Sequence, residues 1–282
     1  VATIHRLEQA CCMCQLEHDE LGHVQPEEDQ HLELLLRDQE LYAVLDLKER
    51  ERREDYMLSK KKPQIQWMIR QLRELHSVRK FKHVVDIGGG RGDLGLAIAA
   101  LFPMCQVTVV DLNEPSLFAG KKRAESHNIQ NISFVLEDAQ QHGLQLYDCV
   151  VGLHACGGLS DLILRAAVEQ QSSFLICTCC FAKNSHLNMW GKLLVGEESQ
   201  LLCQRAETHA DMSTARKCMQ IINSYRIANA LQLAKQLHPN HWLHVRLKSF
   251  SEAFSLKNNV LCGYFEEREQ KSSTFMQQNL LN

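Results

Sequence analysis

The sequence predicts an α/β protein: a mostly parallel sheet, an antiparallel hairpin at the C-terminal end of that sheet, and an N-terminal helical extension. Three observations carry the prediction. From residue 81 onward, short apolar runs alternate with helical segments, the rhythm of a parallel sheet covered on both faces. The last two β-like runs, 242 to 250 and 258 to 265, are joined by a short polar link that permits an antiparallel pair but no right-handed parallel crossover. Residues 1 to 80 lack strand alternation, and Ile65, Met68, Ile69, Leu72 and Leu75 recur at threes and fours, the mark of an amphipathic helix.

The earlier strands are expected at 83 to 87, 106 to 111, 132 to 136, 147 to 153 and 173 to 179, with a helical stretch around 212 to 237 before the hairpin. Five alternating units and a hairpin make seven strands. The expected organisation is a helical extension over 1–60, the α/β domain over 61–265 and a polar tail over 266–282. The chain has 282 residues, 45% of them hydrophobic, enough for a sizeable core. Its formal charge of -3 removes the strongest prior for a nucleic-acid binder. A local basic patch stays open: Lys48, Arg50, Arg52, Arg53, Lys60, Lys61 and Lys62 lie in a stretch that also carries Glu49, Glu51, Glu54 and Asp55. A solvated helix face or linker is the plainer reading of that stretch.

Of the twelve cysteines, Cys105, Cys149, Cys177 and Cys262 sit inside apolar runs, where a reduced thiol packs as a small hydrophobe. That pattern predicts a reducing compartment, the cytoplasm first and the nucleus as the other option. No apolar run reaches the roughly 18 residues a membrane span needs, so no membrane association is expected. The chain opens at Val1, which fits an excised or processed form with domains upstream of it.

Val84, Val85, Asp86 and Ile87 run directly into Gly88, Gly89, Gly90, Arg91 and Gly92. Glycine after a buried strand lets the backbone turn tightly and approach a ligand that a Cβ would exclude. About 20 residues on, the next strand ends in Asp111, where a carboxylate can accept hydrogen bonds from ribose hydroxyls. The spacing Asp-x-Gly-x-Gly-x-Gly resembles motif I of class I methyltransferases, whereas the dinucleotide fingerprint has two residues between its second and third glycines. The resemblance implies a Rossmann-like seven-strand methyltransferase sheet and S-adenosylmethionine, not NAD, as cofactor. Gly88, Gly90 and Gly92 would then admit the methionine moiety, Asp111 hold the ribose, and Asp138, next to Glu137, face the adenine, with Asp86 opening the motif.

Two further strand ends carry reactive groups: His154, Ala155, Cys156 and Gly157 after the fourth strand, and Cys177, Thr178, Cys179, Cys180 and Phe181 at the fifth. With the usual strand order these neighbours bring His154, Cys156 and Cys179 or Cys180 near the transferable methyl. Three readings stay open: a nucleophilic thiolate, a zinc ligand set, and inert packing thiols with His154 bonded to a backbone group. No metal is expected, because Cys179 and Cys180 point to opposite faces if both lie on a strand. A second zinc reading, on Cys11, Cys12 and Cys14 with His18 and His23, has spacing too compressed for a standard finger.

The segments Asp86 to Asp93, His154 to Gly157 with Asp161 and Arg165, and the Cys179–Cys180 pair resemble one methyltransferase-like family. It includes the C-terminal methyltransferase-like half of the glutathione S-transferase C-terminal domain-containing proteins, and the likeness runs from roughly residue 60 to 265. More distantly, Leu153 to Arg165 is similar to the Lys-His-Leu-Cys-Gly motif and its Thr-Asp-Leu continuation in zinc-finger-bearing tRNA 2′-O-methyltransferases. Leu153 stands where that tRNA family has lysine, and Phe181 and Ala182 where it has a histidine pair. The resemblance implies His154, Cys156, Asp161, Cys179 and Cys180 as the catalytic set and RNA as the substrate class. The phosphate contacts would then fall to the 48–62 stretch with Arg79, Lys80 and Lys82. A catalytically inactive S-adenosylmethionine-binding or interaction module with a protein partner, and a protein methyltransferase, are the alternatives.

Overall fold

The computed structural model describes residues 16–18, 26–37, 42, 44–140, 148–189, 197–208 and 210–268. Cys11, Cys12, Cys14, His23 and most of the expected polar tail lie outside them, so the second zinc reading rests on residues not described.

Lys62–Val78 forms helix α3, entered through Pro63 in its first turn, where the missing N–H costs nothing. Its expected stripe, Ile65, Met68, Ile69, Leu72 and Leu75, is buried, and Trp67 is buried with it. Helix α1 (Pro26–Leu36) contributes Leu32, Leu35 and Leu36 to the same core. Helix α2 (Leu47–Tyr56) is capped by a reciprocal pair, Asp46 accepting from the Glu49 backbone N–H and Glu49 reaching back, and it buries no residue. A single π-helical turn, Met57–Lys61, links α2 to α3, so the expected boundary at residue 60 falls within a helical run.

The sheet strands are β1 (Leu16–His18), β2 (His83–Ile87), β3 (Gln106–Asp111), β4 (Ile132–Leu136), β5 (Cys149–Cys156), β6 (Ser173–Cys179), β7 (His241–Ser249) and β8 (Asn259–Glu267), in the spatial order β1-β7-β8-β6-β5-β2-β3-β4. Strands β2 to β6 run parallel, and β8 is antiparallel to both β6 and β7. The expected seven strands are therefore present with one correction: β1, in the segment read as helical, adds a short edge strand parallel to β7.

Successive strand residues face opposite layers, as a period of two requires. Val84, Val151 and Leu175 pack toward α1, α3 and α4 (Asp93–Leu101), while Val85, Val150 and Ile176 pack toward α6 (Gly158–Glu169) and α8 (Met212–Leu237). Helix α5 (Glu114–Ser126) lies beside β4, and α7 (Glu197–Ala206) closes a small third core with α8 and Phe181. Among the described residues no helix is long and apolar enough to cross a membrane. All nine described cysteines are free thiols.

Two features of β5 differ from expectation. The strand runs to Cys156, so His154 and Cys156 belong to it. Gly152 pairs with Ile176 but Ala155 with Thr178, so three steps on β5 match two on β6, a bulge centred on Leu153 and His154. His154 takes up the extra residue with a φ of 66°. The bulge sets Cys156 opposite Cys179; unbulged pairing would have set it opposite Cys180.

Candidate active site

The sheet order reverses around β2, which has β3 on one side and β5 on the other, and ligands of open α/β sheets sit in the crevice at such a point. Asp86, at the end of β2, is 1% exposed. Its Oδ2 accepts from the Gly95 N–H at 3.1 Å, while Oδ1 is buried with no hydrogen-bond partner among the described residues. Burial pushes its carboxyl up to about 7, against the opposing pull of Lys61 and of the Gly95 hydrogen bond. Nearby Asp93 behaves oppositely: burial would raise it, but Arg123 and then Lys61 hold it below its ordinary value. Arg123 reaches Asp93 Oδ1 at 2.7 Å and the Leu35 carbonyl at 2.9 Å, tying α1 to the loop.

Asp111 holds the loop from the other side. Its Oδ2 accepts from Gly90 N–H and its Oδ1 from Asn113 N–H, both at 2.8 Å, and each oxygen keeps a second lone pair. Asp138 Oδ1 accepts from Gln140 N–H at 2.9 Å. Between them opens a cavity of about 230 Å³ bordered by Gly88, Asp111, Leu112, Asp138, Leu159 and Leu162, and further walled by Asn184 and Leu187. The structure thus brings Gly88, Asp111 and Asp138 to one cavity, with Gly90 bonded to its Asp111 wall. Gly92 contributes differently. At a φ of 72° its added Cβ would stand 2.7 Å from the Phe134 ring, so it serves close packing behind the loop.

The second group stands at the ends of β5 and β6. His154 Nε2 lies 2.6 Å from Gln64 Oε1, and Gln64 Nε2 donates to the Phe254 carbonyl at 3.0 Å. An amide oxygen only accepts, so Nε2 carries the ring proton. Burial, then Lys61, depresses His154 to about 4, leaving it neutral at pH 7. Cys156 and Cys179 Sγ are 3.4 Å apart, and the Sγ atoms of Cys156, Cys179 and Cys180 all lie within 4.8 Å of one another. The expectation of opposed side chains fails here, because β6 ends at Cys179 and Cys180 turns into the left-handed region at a φ of 46°. The Cys179 hydrogen bond lowers Cys156 to about 6 despite burial, and Cys179 is correspondingly raised.

Asp161 is not a group that could touch a substrate. It and Arg226 are both fully buried, with Asp161 Oδ2 accepting from Arg226 Nη2 at 2.8 Å and Nε at 3.0 Å. Its Oδ1 accepts from the Met189 N–H. Arg226 also donates to the Gly157 carbonyl and to Asn223, which continues to Thr178. At Gly157, φ is 56° and an added Cβ would stand 1.8 Å from the Lys183 carbonyl, so only glycine fits under the turn after β6.

Lys61, Gln64 and Arg226 were not foreseen as site residues. Arg226 left a signal, a lone charge between Ile221, Ile222 and Ile227 in an apolar helix. Lys61 stood in the stretch read as a surface face, yet it acts on Asp86, Asp93, His154 and Cys177 together. Its neighbours are engaged internally: Lys62 pairs with Asp29 at 3.0 Å and Glu33 at 3.1 Å, and Lys60 donates to the Ala253 carbonyl. Arg79, Lys80 and Lys82 are exposed but precede β2. A five-residue strand separates them from the crevice by about 16 Å. Of the basic residues expected to meet RNA phosphates, Lys60 and Lys62 are therefore engaged internally and Arg79, Lys80 and Lys82 lie at the far end of the sheet, while Lys48 and Arg52 are exposed on α2.

Residues 60–186 match the model of a family described as a methyltransferase domain. The glutathione S-transferase C-terminal domain-containing protein of Mus musculus is 28% identical over 204 residues, covering 67% of this chain and 31% of its own length. A homolog from Drosophila melanogaster is 23% identical over 200 residues, covering 64% and 33%. The chain thus spans about a third of the length of these curated relatives. Among solved structures, the plantazolicin methyltransferase BpumL in complex with SAH aligns over 86% of this chain and 98% of that one, at 14% identity and a TM-score of 0.42. The stretch that matches the methyltransferase-domain model, residues 60–186, thus contains the Asp86–Gly92 loop at the switch point of the sheet, the arrangement in which the sequence resembles class I methyltransferases.

Proposed function

We propose that this chain transfers a methyl group from S-adenosylmethionine to RNA, with the cofactor in the cavity beside Asp111. The observation that carries the cofactor site is that cavity, with the unpartnered Oδ1 of Asp86 next in sequence to its lining residues Ile87 and Gly88. A buried carboxylate oxygen without a partner is costly, and an ammonium group delivered by a ligand would satisfy it. Asp111 has lone pairs left for two ribose hydroxyls, Leu112, Leu159 and Leu162 offer apolar walls to a purine, and Asp138 can accept from its exocyclic amine. Gly88 and Gly90 admit the methionine portion, and Gly92 keeps the loop packed.

Bound S-adenosylmethionine supplies an electrophilic methyl on a sulfonium. The protein's contribution is alignment of acceptor and methyl. His154, neutral and fixed by Gln64, is a positioning group with Nδ1 as its remaining acceptor. Cys156, Cys179 and Cys180 shape the wall beside it, and Asp161 holds that wall through Arg226.

RNA as acceptor rests on the likeness of Leu153–Arg165 and the cysteine pair to the tRNA methyltransferase motifs. A polypeptide acceptor is the second reading, favoured by one observation: of the expected phosphate-binding lysines, Lys60 and Lys62 are engaged internally and Lys80 and Lys82 stand away from the crevice. The test is transfer of labelled methyl into total RNA and total protein fractions, with Asp86→Ala as control. Label in RNA, lost in the variant, supports the first reading; label in protein alone replaces it with the second; label in neither overturns both.

A further inference from the structure

We propose that Cys156, Cys179 and Cys180 are thiolate ligands of a zinc ion, with the carboxylate of Glu207 as the fourth donor. The inference does not depend on methyl transfer.

Three arrangements of the backbone converge on this point. The bulge at Leu153–His154 sets Cys156 opposite Cys179. The end of β6 at Cys179 frees the next residue from strand alternation, and the left-handed Cys180 folds its sulfur back to the same side. Gly157 lets the Cys180–Asn184 turn close over the strand ends, its N–H donating to the Cys179 carbonyl at 2.7 Å. The result is three sulfurs within 4.8 Å of one another, the nearest two 3.4 Å apart. A tetrahedral ion with zinc–sulfur bonds of about 2.3 Å holds its sulfurs about 3.8 Å apart, which lies inside that range.

A fourth donor is available from the segment after α7. Glu207, at the end of α7, keeps its Oε2 3.3 Å from Lys257 Nζ, whereas its Oε1 is buried with no hydrogen-bond partner among the described residues. Its carboxylate oxygens do not lie within 4.8 Å of all three sulfurs, so joining them at an ion requires a shift of the residues that follow Ala206. Three soft thiolates and one carboxylate are a donor set that suits zinc and fills its four positions. A filled set points to a structural ion. What it would fix is the turn carrying Asn184 and, just beyond, Leu187, both of which wall the cofactor cavity.

The experiment is elemental analysis of the full untagged chain, purified under reducing, oxygen-free conditions, followed by cobalt(II) substitution and near-ultraviolet spectroscopy. About one zinc per chain and an intense thiolate-to-cobalt band are expected. Both should fall away in Cys156→Ser and in Cys180→Ser, weaken at least tenfold in cobalt affinity in Glu207→Gln, and persist in Cys105→Ser. Circular dichroism of the turn variant Cys180→Ser separates loss of metal from loss of fold. Zinc retained in both cluster variants would place the ion elsewhere and overturn the proposal. So would a parent that takes up neither zinc nor cobalt, including one that instead forms a Cys156–Cys179 disulfide in air that added zinc does not prevent.

Discussion

The end of β2 and the paired ends of β5 and β6 open onto the same crevice, but they are built on different principles. The β2 end is largely local: strand, loop and helix follow one another within Val84–Leu101, and two side chains from the next strand and helix, Asp111 through Gly90 and Arg123 through Asp93, brace them. The β5–β6 end is assembled from afar. Its parts are a bulge, a left-handed cysteine, a glycine against the Lys183 carbonyl, and an arginine from α8 that is 65 residues beyond its Asp161 partner. A local motif can tolerate drift in the rest of the fold, whereas a long-range one exists only when the whole sheet has formed. The two ends should therefore respond differently to substitution.

The largest effect belongs to the assembled end. Arg226→Met leaves the Asp161 carboxylate buried and uncompensated, which should lower unfolding free energy by about 3–5 kcal/mol. Denaturant midpoints would show it, and pairing the change with Asp161→Leu should recover a large part of the loss. A single-variant cost under about 1 kcal/mol would mean that this network does not hold the β5–β6 end. At the local end Asp111→Ala should spare stability more and strike binding, since a hydrogen bond to a charged group is worth about 1.5–3 kcal/mol. Cofactor affinity should fall by about ten- to a hundredfold. Equal binding in variant and parent would remove Asp111 from the site.

The pH dependence sharpens the contrast further. The Asp86 carboxyl is raised from its ordinary value of 3.8 to about 7, mainly by burial. Its contribution to stability is therefore complete below pH 3.8 and lost as pH rises through about 7. Binding of a ligand ammonium has the opposite sign, since it needs the ionised form. Cofactor affinity should increase by up to about tenfold per unit as pH rises toward 7, then level off. Asp86→Asn should flatten that slope; a parent whose affinity does not vary between pH 6 and 8 would detach Asp86 from the ligand. The smallest effect is expected at the base of the sheet. Replacing Arg79, Lys80 and Lys82 with Gln should leave cofactor binding and methyl transfer unchanged, and a lost salt dependence of transfer would show that these side chains reach the acceptor after all.

What was legible in the chain follows the same division. The glycine loop after β2, the strand-end carboxylates Asp111 and Asp138 and four of the strand spans could be read directly, because a buried strand entering glycines and a strand-end carboxylate are local patterns. Helix α8 was expected as a helical stretch over 212 to 237, and it spans those residues. Not legible was anything that depends on register. Adjacent cysteines on a strand point apart, and only the end of β6 at Cys179 lets Cys180 turn back. Asp161 lay in a catalytic-looking motif, yet its partner sits on α8 and occupies its carboxylate. Lys60, Lys61 and Lys62 read as a solvated face because nothing in their own segment shows that the π-turn and the start of α3 bring Lys60 to Ala253 and Lys62 to α1. The edge strand Leu16–His18 was hidden for the same reason, being three residues paired with a strand more than 200 positions away.

The role of the β2 end turns on S-adenosylmethionine binding in the cavity between Asp111 and Leu159. Isothermal titration of S-adenosylhomocysteine into the full chain, with Asp111→Ala and NAD as the two comparisons, decides whether it does. One saturable site is expected, with a dissociation constant on the order of micromolar, weakened at least tenfold in the variant, and with no competition from NAD. Absence of saturable binding by either S-adenosylmethionine or S-adenosylhomocysteine, in a chain shown to be folded, would contradict it.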